Sequence, residues 1–206
     1  MNLDLAAINA EWGQNPEQLI AFALKQAKPA LCTTNFRPFE AVLLHMLCQQ
    51  QPDIQVLWID SGYNTEATYR FADELTQKLK LNLITYLPKR SRAHREAIEG
   101  ELPALNTPAH AAFTEEVKLE PFARALREIS PKLWFTALRA SDTALRAKMQ
   151  PLSVNPDGLL KVAPLLYWSS KDLHEYLVKH DLPNNFDYFD PTKGEENREC
   201  GLHINH

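Results

Sequence analysis

The residue whose surroundings most invite chemistry is Cys200, in the run Asn197-Arg198-Glu199-Cys200-Gly201-Leu202-His203. A free cysteine is ordinarily a small buried hydrophobe, and this one is set among charged and polar neighbours. The thiolate is the nucleophilic form; Arg198 or His203 favours it and Glu199 opposes it. Cys32 and Cys48 lie instead in apolar stretches and read as core residues. Three widely spaced cysteines do not make a disulfide framework. With no Cys-x-x-Cys and no adjacent pair, an all-cysteine zinc or iron–sulfur site within one chain is not expected. The pairs His94/Glu99 and His203/His206 are too loosely placed to argue for any other metal.

Three further clusters could bind an anion or a nucleotide. Thr33-Thr34-Asn35-Phe36-Arg37 stands between a strand and a helix, where hydroxyls, an amide and the N–H groups of a helix start can hold phosphate oxygens. Arg37 could add a two-pronged contact. The same residues also describe a capped helix start with a solvated arginine. In Asp60-Ser61-Gly62-Tyr63, Gly62 permits close backbone approach, and Asp60 could accept from an exocyclic amine or a ribose; an ordinary strand-end turn has the same composition. Arg139 and Arg146, with Lys161, could form an anion pocket or stand as solvated side chains. Lys118 and Glu120, before Pro121, are ambiguous alone.

These residues need a frame to bring them together. Short apolar runs at 29–32, 54–59, 82–87 and 133–137 read as strands, and helical patterns at 17–27, 38–47, 65–80, 119–129 and 170–179 fall around them. Two shorter strands, 151–154 and 159–162, flank the turn Asn155-Pro156-Asp157-Gly158. Alternating strands and helices imply an α/β fold: a mostly parallel sheet with helices on both faces. Ligands of such folds bind at the carboxyl ends of the strands. The candidate loops are therefore 33–37, 60–63, 89–95 and 139–146.

The chain of 206 residues accommodates one domain, expected over 1–183, and a polar C-terminal tail over 184–206 that carries Cys200. The formal charge of −4 argues against a general nucleic-acid binder. No apolar run approaches the roughly 20 residues of a membrane span, and the start Met-Asn-Leu-Asp-Leu does not resemble a secretory signal. A cytoplasmic protein is expected, with neither nucleic acid nor membrane as partner.

Taken in order, several segments resemble the sulfonucleotide reductases of assimilatory sulfate reduction. Glu199-Cys200-Gly201-Leu202-His203 resembles that family's Glu-Cys-Gly-(Leu/Ile)-His tail. Asp60-Ser61-Gly62-Tyr63, Lys118-Leu119-Glu120-Pro121, Leu138-Arg139 with Arg146-Ala147, and Lys161-Val162-Ala163-Pro164-Leu165 resemble its other segments. The resemblance spans about 29–203. It implies an adenine nucleotide alpha hydrolase-like fold with a mobile C-terminal tail, and an enzyme that reduces 3′-phosphoadenylyl sulfate or adenylyl sulfate to sulfite. Cys200 would be the nucleophile and form an S-sulfocysteine. Thr33, Thr34, Asn35, Arg37, Asp60, Gly62, Lys118, Arg139, Arg146, Lys161 and His203 would hold the substrate. Reduced thioredoxin or glutaredoxin would donate electrons, with no bound cofactor. The missing cysteine pairs favour a cluster-free enzyme using the 3′-phosphorylated substrate, whose extra phosphate would meet the basic 89–95 loop. The family is often oligomeric, so a homodimer is in keeping with it. An adenylyl-sulfate reductase and a non-catalytic nucleotide-binding relative are the alternatives; an ATP pyrophosphatase would need a Ser-Gly-Gly-x-Asp-Ser loop that 33–39 does not supply.

Two loop positions depart from the family's pattern, and so does the short tail, where Asn184-Asn185-Phe186-Asp187-Tyr188-Phe189-Asp190 replaces the family's usual segment and Lys193 and Arg198 are the only basic residues. Arg37 stands where the first loop usually has glycine, and Asp142-Thr143 replaces the Gln-Ser of the arginine loop. An aspartate beside a polyanion is expected to point away or to bind ribose.

Overall fold

The computed structural model describes residues 3–193. Six strands form one sheet: β1 (Ala30–Thr34), β2 (Gln55–Ile59), β3 (Asn82–Tyr86), β4 (Leu133–Phe135), β5 (Leu152–Val154) and β6 (Leu160–Val162), in the order β3-β2-β1-β4-β6-β5. All pairings are parallel except that of β5 with β6. The central parallel strands β1, β2 and β4 are apolar because both of their faces are covered. Leu31, Leu57 and Trp134 pack with Phe122 and Ala125 of α7 (Glu120–Ile129) on one face. Their neighbours Cys32, Val56 and Phe135 pack on the other face. There they meet residues of α2 (Pro16–Gln26), α3 (Glu40–Gln50), α4 (Glu66–Leu79) and α8 (Ser170–Lys179).

Topology places the crevice. From β1 the chain runs through α3 to β2 and through α4 to β3, all to one side; β4 then pairs with the other side of β1. The strand order therefore reverses between β1 and β4, and the loops leaving these two strands diverge. In open parallel sheets that divergence is where ligands lie.

Local chemistry fixes most boundaries. Thr65 caps α4 by accepting from the Thr68 N–H, and Ser169 and Asp172 close a reciprocal box at the start of α8. The Asn155–Gly158 turn joins β5 to β6 antiparallel, with Gly158 at a φ of 82°. A helix not expected from the sequence, α1 (Leu5–Trp12), covers β5. The Asn9 side chain accepts from the Leu152 N–H and donates to its carbonyl, both at 2.9 Å, so it pairs with the strand as a neighbouring backbone would. The basic 89–95 segment is only partly a loop, since α5 spans Arg92–Glu99; α6 (Pro108–Thr114) and a π-turn over Glu115–Leu119 lead into α7. No helix among the described residues is long and apolar enough to cross a membrane.

Candidate active site

A cavity of about 550 Å³ opens at the carboxyl ends of β1 and β4. Thr33, Thr34, Asn35 and Arg37 line it from the β1 side, and Lys118, Arg139 and Arg146 complete the expected set that meets there. Its size falls within the range of small-molecule sites.

The β1 loop is built differently from the expectation. Strand β1 continues through Thr34, and α3 starts at Glu40 rather than at Pro38. Between them Phe36 and Phe39 take the left-handed conformation, at φ of 57° and 70°. This turns the buried Glu40 carboxylate back into the loop. One oxygen, Oε2, accepts from the Thr34 hydroxyl at 2.5 Å, the Asn35 N–H at 2.8 Å and the Phe36 N–H at 2.9 Å. Two N–H groups expected to face a phosphate are thus held by a carboxylate of the protein itself. Thr33 keeps its hydroxyl against Trp134, accepting from the indole N–H at 2.9 Å.

The arginine loop leaves β4 through two 3-10 turns, Ala140–Asp142 and Arg146–Lys148. Asp142 does not point away from the cations. Its Oδ2 accepts from Arg37 Nη1 and Arg146 Nη1, and its Oδ1 faces Arg139 Nη2, all at 2.9 Å. Arg146 is 3% exposed. Burial works against the Asp142 charge, but Arg37 and Arg139 outweigh it and hold this carboxyl below the usual aspartate range. Burial likewise works against the Arg37 charge, and Glu40 and Asp142 reverse it and raise its pKa. Arg139 also donates to the Ser170 hydroxyl at 3.0 Å.

Residues 184–193, expected within the tail, pack against this site. Asn185 donates to the Phe36 carbonyl at 3.1 Å and to the Thr68 hydroxyl at 3.0 Å. The Tyr188 hydroxyl lies 2.6 Å from the Asn35 amide, and Asp190 pairs with Lys118. Tyr188 and Asp190 line the cavity, and neither they nor Glu40 were singled out from the sequence. The only signal for Glu40 was a carboxylate at a helix start directly after Pro38-Phe39.

Other expected residues lie apart. Asp60 and Gly62 do not line the cavity: one Asp60 oxygen accepts from the Gly62 N–H, the Asn64 amide and the Tyr69 hydroxyl, which makes a closed turn. Burial and this aspartate push the Tyr69 phenol up to about 12. Lys161 sits on β6 with its ammonium 5.0 Å from the Trp134 ring centre, and burial lowers its pKa. The basic 89–95 segment is largely neutralised: Arg90 pairs with Glu99 and Glu116, Arg95 with the same two, and Arg92 with Glu96. Cys200 and His203 lie outside the described residues. Among the described residues, no three His, Cys, Asp or Glu side chains gather as a metal site.

A mostly parallel sheet with a cavity of paired charged side chains at its reversal point defines an α/β protein of the kind that binds ligands at its strand ends. Within that class the chain belongs to the family described as the phosphoadenosine phosphosulfate reductase domain, which residues 31–189 match. It is 37% identical, over 97% of its length and 92% of the relative's, to the phosphoadenosine 5′-phosphosulfate reductase of Xanthomonas axonopodis pv. citri. Identity to the protein of the same name from a Synechococcus strain is 35%, over 97% of each chain. The fold is similar to the crystal structure of phosphoadenylyl-sulfate reductase from Candida auris in its phosphate complex, with a TM-score of 0.74 at 21% identity over 90% of this chain and 91% of that one.

Proposed function

We propose that the protein reduces 3′-phosphoadenylyl sulfate to sulfite and adenosine 3′,5′-bisphosphate in cytoplasmic sulfate assimilation. The observation that carries this reading is the strand-end cavity with Arg37, Lys118, Arg139 and Arg146 in its wall. The names of the relatives and the phosphate bound in the Candida auris structure support the same substrate class. The nucleotide lies over the ends of β1 and β4, and its phosphosulfate faces Lys118, Arg139 and Arg146, which neutralise the charge of the leaving phosphate.

Cys200, as thiolate, attacks the sulfur. The bond from sulfur to the bridging oxygen breaks, the bisphosphate leaves with the electron pair, and Cys200 becomes S-sulfocysteine. A thiolate of reduced thioredoxin or glutaredoxin then attacks Cys200 Sγ. Sulfite departs with the pair of the broken S–S bond, and a mixed disulfide remains. The donor's second thiol resolves that disulfide. The donor dithiol is oxidised by two electrons and the sulfate sulfur is reduced by two.

Sulfite release, measured with each sulfonucleotide and reduced thioredoxin, tests this reading. Preferred use of the 3′-phosphorylated substrate is expected. Equal or better use of adenylyl sulfate overturns the choice of substrate, and no sulfite from either overturns the reaction. Cys200→Ser is expected to bind nucleotide and release no sulfite; turnover by this variant removes Cys200 from the mechanism.

A further inference from the structure

Two side chains from the loops that leave β1 and β4 meet in space. Arg37 leaves β1 and Asp142 follows β4, 105 residues apart, and their side chains are 2.9 Å apart. Each nitrogen of the Arg37 guanidinium already has an acceptor in the protein. Nε faces Glu40 at 3.3 Å, Nη1 faces Asp142, and Nη2 donates to the Ala137 carbonyl at 2.7 Å. The last bond ties the loop leaving β1 to the loop leaving β4 across the reversal point of the sheet. Arg37 therefore fixes the separation of the two cavity walls, and its guanidinium is committed before any ligand enters.

Asp142 is the centre of the same cluster. Without it, Arg37, Arg139 and Arg146 would lose the carboxylate they share, and Glu40 would reach only Arg37. Without Arg37, Asp142 and Glu40 would cancel the charges of Arg139 and Arg146. Asp142 contacts all three guanidiniums, and Glu40 contacts Arg37 alone, so the two carboxylates tie the loops of β1 and β4 into one charged cluster.

We infer that Asp142 is a positioning residue that sets the aim of Arg139 and Arg146, and that Arg37 is its counter-cation rather than a contact to the substrate. This inference rests on the proposed function, because it assigns the cluster to the binding of a sulfonucleotide.

The test is a double-mutant cycle of Arg37→Gln and Asp142→Asn. Binding of adenosine 3′,5′-bisphosphate is measured by calorimetry, and KM and kcat by sulfite release. Each single variant is expected to weaken bisphosphate binding about tenfold, the cost of a disturbed charged hydrogen bond. The change in KM is expected to exceed that in kcat. The double variant is expected to lose no more than the weaker single one, because the two residues act as one unit. Losses that multiply, to about a hundredfold, mean that Arg37 touches the ligand independently and overturn the inference. Unchanged binding in both single variants overturns it as well. Where Arg37→Gln does not fold, Arg37→Lys takes its place in the cycle: it keeps the charge and gives up the fork that reaches Ala137. A rise in its KM supports the inference, and a fall in kcat alone contradicts it. Wild-type protein that binds bisphosphate but releases no sulfite overturns the proposed reaction while the cycle stays readable; wild-type protein that binds no bisphosphate overturns both.

Discussion

The Lys118 ammonium lies against the Asp190 carboxylate, and both side chains are buried. Asp190 also accepts from the Thr192 N–H at 3.0 Å and the Thr192 hydroxyl at 2.6 Å. Through this pair the π-turn that leads into α7 is joined to residues 184–193, and one wall of the cavity depends on it. A lysine expected from the sequence to neutralise a ligand thus also binds its own chain.

Replacing one member of a buried pair strands the other. Asp190→Asn is expected to destabilise the fold by about 3 kcal/mol at neutral pH, read from urea unfolding. Burial works against the charge on Asp190, and Lys118 outweighs it and lowers its pKa in the folded state. The contribution of this carboxylate is therefore complete above the unfolded value of about 3.9, and is lost as pH falls through the depressed folded value. The gap between wild type and variant should close on that side. A gap that stays constant into acid would show that the pair adds no charge-dependent stability.

Glu40 makes a second prediction, about anions. Its carboxylate occupies a concave set of N–H donors of the kind that otherwise binds phosphate. Glu40→Ala is expected to cost about 2 kcal/mol, because the Asn35 N–H and the Thr34 hydroxyl lose their acceptor and the Phe36 N–H keeps only the Thr34 oxygen. Inorganic phosphate should then raise the melting temperature of the variant more than that of the wild type, by filling the vacated position. Equal phosphate dependence of the two proteins would show that the loop does not accept an external anion even when emptied.

The frame of this site was legible in the sequence and its wiring was not. The apolar runs that became β1, β2 and β4 are short and mostly buried, that of β3 keeps its apolar alternation at the sheet edge, and Thr65 and Ser169 cap two of the helices through their hydroxyls. The reversal at β1 follows from pairing, which no local pattern encodes. Arg37 and Asp142 are separated by 105 residues, and Lys118 and Asp190 by 72. Each looked like a free cation or a stray acid until the fold brought its partner. Helix α1 escaped notice because its role is to present Asn9 to the edge strand rather than a strong apolar stripe to the core. The cations at 89–95 misled in the opposite sense, since Glu99 and Glu116 consume them locally.

Arg139 should carry more binding energy than the hydroxyl that steadies it. Arg139 lines the cavity and is held by Asp142, by the Ser170 hydroxyl and over the Phe39 ring, 5.7 Å from its centre. Arg139→Gln is expected to weaken adenosine 3′,5′-bisphosphate binding by about tenfold or more, the range of a charged hydrogen bond. Ser170→Ala removes one neutral acceptor and should cost about threefold. Calorimetric titration of both variants decides the order, and a larger effect at Ser170 would show that the hydroxyl, not the guanidinium, meets the ligand.

Two of the three thiols lack the property that the proposed reaction requires. Cys32 is fully buried, and burial, then the charge of Glu40, pushes its thiol well above the usual range. Burial also raises the Cys48 thiol. Both are therefore poor thiolates at neutral pH, which leaves Cys200 as the nucleophile proposed for attack on sulfur. In the proposed reaction the second half cannot occur without a thiol donor. Mixing the protein with 3′-phosphoadenylyl sulfate alone should then release one equivalent of bisphosphate and no sulfite. Mass spectrometry of peptides should find one added sulfonate, on Cys200. Reduced thioredoxin added afterwards should release the sulfite and restore the unmodified chain. The Cys200→Ser variant should show neither the burst nor the label, whereas Cys32→Ala and Cys48→Ala should keep both. Sulfite appearing before any donor is added, or a sulfonate found on Cys32 or Cys48, would contradict the two-step transfer through Cys200.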